Sequence, residues 1–174
     1  MNHLLSRRLW LTSCFLELAG CKSAQQSRPM PAQKRPPSAS DPGSYVNFNQ
    51  PDADECIVRD INPGDGRRWT RDHPEMKFWV RREPGLRFSM TLWIAEATLR
   101  DTGPVTLTVK INGNVLGSIR CSQARNYRFE QPVPLDWVRP GEPVFVLAEA
   151  SPLWTAPRDG AHLGYLLEEA GFRW

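Results

Sequence analysis

The chain has 174 residues, 40% hydrophobic and 24% charged, with sixteen prolines and twelve glycines. That punctuation excludes a helical bundle, the apolar content excludes a wholly disordered chain, and no stretch reaches the roughly 18 to 20 apolar residues of a membrane-spanning helix. The net charge of +3 is uneven: residues 1–44 carry six basic against two acidic side chains, and the remainder sixteen against seventeen. The basic excess belongs to the N-terminal segment, so the composition argues against a nucleic-acid partner for the rest.

Met1 to Arg8 holds Arg7 and Arg8 and no acid, and Leu9 to Gly20 is mostly apolar apart from Glu17. A basic start, a short apolar run and small residues before a break describe an export signal over residues 1–20. The break, Leu18-Ala19-Gly20-Cys21, resembles the lipobox of bacterial lipoproteins. Small Ala19 and Gly20 admit a peptidase to the backbone, and the Cys21 thiol is the nucleophile that takes a diacylglyceryl group. The resemblance implies removal of the signal and acylation of the new amine. Two or three acyl chains anchor stably where one does not. The partner is then a lipid bilayer, reached through acylated Cys21, and the address is the bacterial cell envelope. Lys22 stands where some such lipoproteins carry an aspartate that retains them in the inner membrane, which points to the outer membrane. Ser6-Arg7-Arg8-Leu9-Trp10-Leu11 fits both a twin-arginine export motif and an ordinary basic start. Residues 21–44 follow with five prolines and no periodicity, a Pro-rich disordered linker. Its reach lies between roughly 25 Å as a flexible coil and roughly 70 Å as extended polyproline helix.

From Tyr45 the period changes to two, and residues 45–174 read as one all-β domain. Strands are expected at Tyr45–Asn49, Cys56–Ile61, Lys77–Arg81, Leu86–Ile94, Val105–Ile111, Val115–Cys121, Tyr127–Phe129, Val144–Glu149 and Leu163–Leu167, with a last one near Gly171–Trp174. Proline- and glycine-rich turns separate them, and a short helical turn fits Pro134–Val138. This number of short strands without a long helix indicates a two-sheet antiparallel, jelly-roll-like sandwich. Between Val105–Ile111 and Val115–Cys121 a three-residue loop, Asn112-Gly113-Asn114, keeps one face apolar. It pairs Ile111 with Val115, Val109 with Gly117, Leu107 with Ile119 and Val105 with Cys121. The pairs Arg67-Arg68 and Arg81-Arg82 have acids nearby, Asp65, Asp72 and Glu83, and read as solvated strand ends.

Once Cys14 leaves with the signal and Cys21 is acylated, Cys56 and Cys121 remain. In an oxidising compartment they form either a disulfide, contributing about 4 kcal/mol in chain-entropy terms, or two separate buried thiols.

A set of segments in the C-terminal part resembles the galactose-binding-like jelly roll of bacterial proteins. They are Gly103-Pro104-Val105-Thr106-Leu107-Thr108-Val109, Ile111-Asn112-Gly113 with Leu116-Gly117, and Val133-Pro134-Leu135-Asp136-Trp137. Val144-Phe145-Val146-Leu147, Asp159, Leu163-Gly164 and Gly171-Phe172 follow, with Arg68-Trp69-Thr70 upstream. The resemblance spans residues 66–173. It implies a β-sandwich of the kind appended to enzymes of surface polysaccharides or standing alone. Where that family often has an arginine before its Leu-Gly pair, this chain has Gly160-Ala161-His162.

The sequence offers no phosphate loop, no nucleophile elbow and no Cys or His at metal spacing, so no cofactor, metal or catalytic residue is expected. Carboxylate groupings such as Asp52, Asp54 and Glu55, or Glu168 and Glu169, fit the flanks of a glycosidic bond in type, and such runs are mostly solvated surface. The aromatic residues carry more. Alternation places Trp79 and Arg81 on one side of their strand, away from Phe78 and Val80, and puts Trp93 on the polar face with Arg87 nearby. Outward indoles stack on sugar C–H faces while arginines bond hydroxyls or acids, so these four residues form the leading ligand-site candidate. Trp154 and Asp159, in the loop to His162, form a second. The expected protein is a membrane-anchored, non-catalytic envelope lipoprotein that binds a glycan or envelope component. The competing expectations are a structural or accessory lipoprotein that binds another envelope protein, and, behind both, a polysaccharide hydrolase.

Overall fold

The computed structural model describes residues 44–63 and 66–174. The expected export signal, Cys21 and the expected linker up to residue 43 lie outside the described residues. The described chain forms strands β1 (Tyr45–Asn47), β2 (Ile57–Ile61), β3 (Arg68–Trp79) and β4 (Arg87–Trp93), then helix α1 (Glu96–Thr102). Strands β5 (Val105–Ile111), β6 (Asn114–Cys121), β7 (Asn126–Pro132), β8 (Pro143–Ser151), β9 (Trp154–Thr155), β10 (His162–Leu163) and β11 (Leu166–Arg173) follow. The main sheet runs β6-β5-β8-β3-β11-β4-β7, with β2 added to β3 and β1 added to β11, and every pairing is antiparallel. It folds on itself at the short β3–β11 pairing, where Trp69 faces Leu166, to make the expected two-layer sandwich. Its two outer edges approach where Gly117 of β6 faces the ring of Phe129 on β7.

Alternation builds the core as the sequence indicates. Val105, Leu107, Val109 and Ile111 of β5 are all buried, as are Phe88, Met90 and Leu92 of β4 and Met76 and Phe78 of β3. Phe78 and Phe88 both meet Phe172 edge-on, at 5.7 and 5.3 Å between ring centres. Each such side chain contributes roughly 1.5 to 3 kcal/mol by leaving water.

The hairpin differs from expectation at its tip. Asn112 and Gly113, with φ of 47° and 83°, make a two-residue turn in which Ile111 faces Asn114 and Lys110 faces Val115. A bulge between Val109 and Lys110 then restores Val109↔Gly117, Leu107↔Ile119 and Val105↔Cys121. The left-handed residues are Asn112 and Gly113 rather than Gly113 and Asn114. The apolar face is kept by a bulge, which absorbs the odd residue, instead of by a longer loop.

Three further segments depart from the sequence reading. Strand β3 starts at Arg68, well before Lys77, because Pro74 sits where the β2–β3 ladder is irregular and no N–H is required of it. Helix α1 was not expected. Its seven residues are too few for a periodicity signal, and Gly103, φ 75°, ends it by donating its N–H to the Leu99 carbonyl. Leu166–Arg173 is one strand where two fragments were expected. The helical turn is present at Leu135–Trp137.

Cys56 and Cys121 are free and buried, so the disulfide alternative gives way to two separate thiols. Topology forbids the bridge. Cys56 precedes β2 at one edge of the layer and Cys121 ends β6 at the other, with β3, β8 and β5 between them. Four strand spacings amount to about 19 Å, far beyond the Cα separation a disulfide spans. Burial pushes the Cys56 thiol up to about 12 and that of Cys121 up to about 11.

Candidate functional site

Three chain segments meet at the end of the sandwich where β3 stops. Strand β3 delivers Trp79 beside Pro143 of β8, and Val80 turns inward, leaving Arg81, Arg82 and Glu83 exposed before the Pro84-Gly85 turn. The loop into β8 turns at Gly141, φ 72°, and presents Pro140, Gly141 and Glu142. Between them come Ser44, just before β1, and Trp174, just after β11. Gly171 makes this last approach possible: a Cβ there would run into the Ser44 carbonyl, which accepts the N–H of Phe172. Together these residues line a cavity of about 790 Å³. Trp174 is 51% exposed, and among the described residues no ring or cation stacks on Trp79 or Trp174.

The opposite end, where β3 begins, is built from Arg68-Trp69-Thr70, and each residue has a distinct task. Arg68 is buried, contrary to the solvated strand end read from the sequence. Its Nε donates to the Phe48 carbonyl at 2.8 Å, one Nη to the Gln50 carbonyl at 3.0 Å, and the other pairs with Asp54, tying the N-terminal segment down. Thr70 donates its hydroxyl to the Tyr165 carbonyl and accepts the Tyr165 N–H, both at 3.0 Å. The Tyr165 hydroxyl, itself buried, donates to the Ala148 carbonyl at 3.0 Å, and burial holds its pKa above the ordinary value. Trp69 points outward and stacks on Trp154 at 6.0 Å, which fixes the β9–β10 flap against β3.

Trp93 and Trp154 are therefore engaged inside the molecule. The Arg67 guanidinium covers the Trp93 ring at 4.9 Å and pairs with Glu168 at 2.6 Å. The Trp154 indole N–H donates to Asp101 at 2.8 Å, and with Arg100 it holds that carboxyl below its usual range, Arg100 having the larger effect. Trp93 shares a row across the sheet with Leu166 and Trp69, whereas Trp79 lies ten residues further along β3. That is roughly 30 Å of strand, so Trp79 and Trp93 belong to different ends of the molecule. Arg87 starts β4, at the Trp79 end, and is held by Glu130 at 2.8 Å. Asp159 caps a tight turn in the flap by accepting the Ala161 N–H at 3.1 Å. Of the predicted ligand residues, the structure brings only Trp79 and Arg81 together.

Of the five carboxylates considered for hydrolysis, three have structural partners: Asp54 holds Arg68, Glu168 holds Arg67, and Glu169 accepts from the Tyr45 hydroxyl at 2.8 Å. Beside the flap, a second groove of about 710 Å³ contains Asp72, His73, Lys110, Glu149 and His162. Lys110 and His73 reach Glu149 at 2.7 and 2.9 Å, and His162 lies 3.5 Å from Asp72. Among the described residues no three His, Cys, Asp or Glu side chains gather where they could hold a metal ion. Sequence reasoning missed Trp174 and Glu142 as neighbours of Trp79, because only the tertiary structure brings the three segments together, and it left out Arg82, which adjoins Arg81 in the chain.

No protein-family model matches the chain, and no curated protein matches it. Among solved structures it is similar to the CBM51-2 and INT domains of ZmpB from Clostridium perfringens, at 12% identity and a TM-score of 0.36. The match covers 75% of this chain and 28% of that one. The same domains with GlcNAc bound to CBM51-2 match at 12% identity and a TM-score of 0.35, with the same coverage. The chain thus spans under a third of the solved chains it matches.

Proposed function

We propose that this protein is a non-catalytic binding domain that takes a glycan in the cavity lined by Trp79 and Trp174. One observation carries the reading: these two indoles share a concave site without ring or cation partners among the described residues, whereas Trp69, Trp93 and Trp154 are engaged by neighbouring side chains. An indole face without a partner in a cleft is what a sugar ring packs against, and the nearby Arg81 and Glu83 supply a donor and an acceptor for its hydroxyls. The test is retention on polysaccharide affinity gels. Trp79→Ala is expected to weaken binding about 30-fold, the scale of a two-kcal/mol anchor, while Trp93→Ala leaves it intact. Equal retention of wild type and Trp79→Ala sinks the reading, and co-purification of one envelope protein alongside it favours the accessory-lipoprotein alternative.

The same proposal includes the address: a domain tethered to the outer membrane through acylated Cys21. The lipobox-like Leu18-Ala19-Gly20-Cys21 and the proline-rich linker support it. The mass of the protein recovered from membranes, with and without Cys21→Ala, tests it. A chain that keeps Met1 and carries no added lipid mass overturns it.

A further inference from the structure

We infer that the glycan taken by the Trp79–Trp174 cavity is anionic, a saccharide bearing a carboxylate or phosphate group that Arg81 and Arg82 clamp. This rests on the glycan-binding reading above and adds the chemical class of its ligand.

The argument comes from where the arginines of the domain place their charge. Arg59, Arg67, Arg68, Arg87, Arg100 and Arg128 each hold a carboxylate at 3.0 Å or closer. Arg125 and Arg173 lie over the rings of Tyr127 and Tyr45 instead. Among the described residues Arg71, Arg81, Arg82, Arg120 and Arg158 do neither, and of these Arg81 and Arg82, both exposed, line the cavity beside the two indoles. Two carboxylates share that lining. Glu142 is faced by Arg139 at 3.7 Å from outside the lining, which leaves Glu83 beside the two guanidinium groups.

Guanidinium groups favour planar, bidentate contact with carboxylate and phosphate over single bonds to hydroxyls. An oxyanion that meets either group at the edge of the cleft gains a charge-assisted contact. The ligand this arrangement fits has an apolar sugar face for Trp79 and Trp174, an oxyanion for the arginine pair and a hydroxyl for Glu83.

The experiment measures affinity of the full chain for two matched pairs of probes: oligogalacturonate beside its methyl ester, and phosphomannan beside plain mannan. At least one charged probe is expected to bind tenfold or more tightly than its neutral partner at 20 mM salt, with the gap closing toward 500 mM as the charges are screened. The pair that shows the preference identifies carboxylate or phosphate. Arg82→Gln, at a side chain the hydroxyl contacts above do not use, is expected to cut the preference at least threefold while neutral binding persists, and because that side chain is exposed the fold is not at stake. Arg81→Lys with Arg82→Lys is expected to keep part of it. Equal affinity for charged and neutral partners overturns the anionic inference and leaves the glycan reading standing. Binding of none of the four probes overturns both.

Discussion

At the end of the sandwich where β3 begins, Trp69, Trp93 and Trp154 are held by a neighbouring ring, a guanidinium or a carboxylate; at the end where β3 stops, Trp79 and Trp174 have no such ring or cation partner among the described residues. Both ends display tryptophan and arginine, and composition alone does not tell them apart. The difference lies in completion. Where Arg67 already covers Trp93 and pairs with Glu168, the interaction energy goes into fixing the flap and the sheet. Where Arg81 and Arg82 stand beside open indoles, the same side chains remain available to a ligand. An outward aromatic is thus informative only after its partners are counted.

The contrast can be broken most forcefully at Arg68. Arg68→Met leaves the Phe48 and Gln50 carbonyls and Asp54 without their donor, and is expected to destabilise the fold by about 3 kcal/mol, on the scale of breaking a buried pair. Chemical denaturation reads this directly, and glycan retention below the transition should not change. A loss of retention without a loss of stability contradicts the division between the two ends. Next in size is Trp154→Ala, which removes the stack on Trp69 and the bond to Asp101. It is expected to cost about 2 kcal/mol, seen as faster proteolysis of the flap between Ala156 and Ala161, again with binding unaltered.

A smaller effect is expected in the groove beside the flap. Lys110, and after it His73, hold the Glu149 carboxyl below its ordinary 4.5. A carboxyl depressed by folding stabilises the protein above its unfolded pKa, and that contribution is lost as pH falls through the folded value. The stability gap between wild type and Glu149→Gln should therefore be under about 1 kcal/mol at pH 7 and close as pH drops below about 4.5. A gap that widens in acid contradicts the pairing. The last effect expected is none at all: reductant should leave the melting temperature unchanged, and Cys56 and Cys121 should resist alkylation at pH 8 until the chain unfolds. A reductant-dependent melt would restore the bridge that the topology rules out.

Much of this fold was legible because period-two alternation is a local property. The apolar faces of β4 and β5, the hairpin pairing from Gly117 onward and the turn at Leu135–Trp137 follow from neighbours in sequence. Strand β3 was hidden by Pro74 and by three polar residues before it, which are tolerated because β2 pairs irregularly there. Helix α1 was too short to announce itself. The candidate site was half legible: Trp79, Arg81 and the adjoining Arg82 share a strand end and could be read together, whereas Trp174 and Glu142 join them only through folding.

The sequence by itself determined the inward faces of β4 and β5 and the all-β class, because alternation and turn chemistry act over a few residues. Only the tertiary structure decided that Arg68 is buried, that Cys56 and Cys121 sit at opposite edges, and which tryptophans are already partnered. Those outcomes depend on strand order and on contacts between segments far apart in the chain, and no local pattern encodes them.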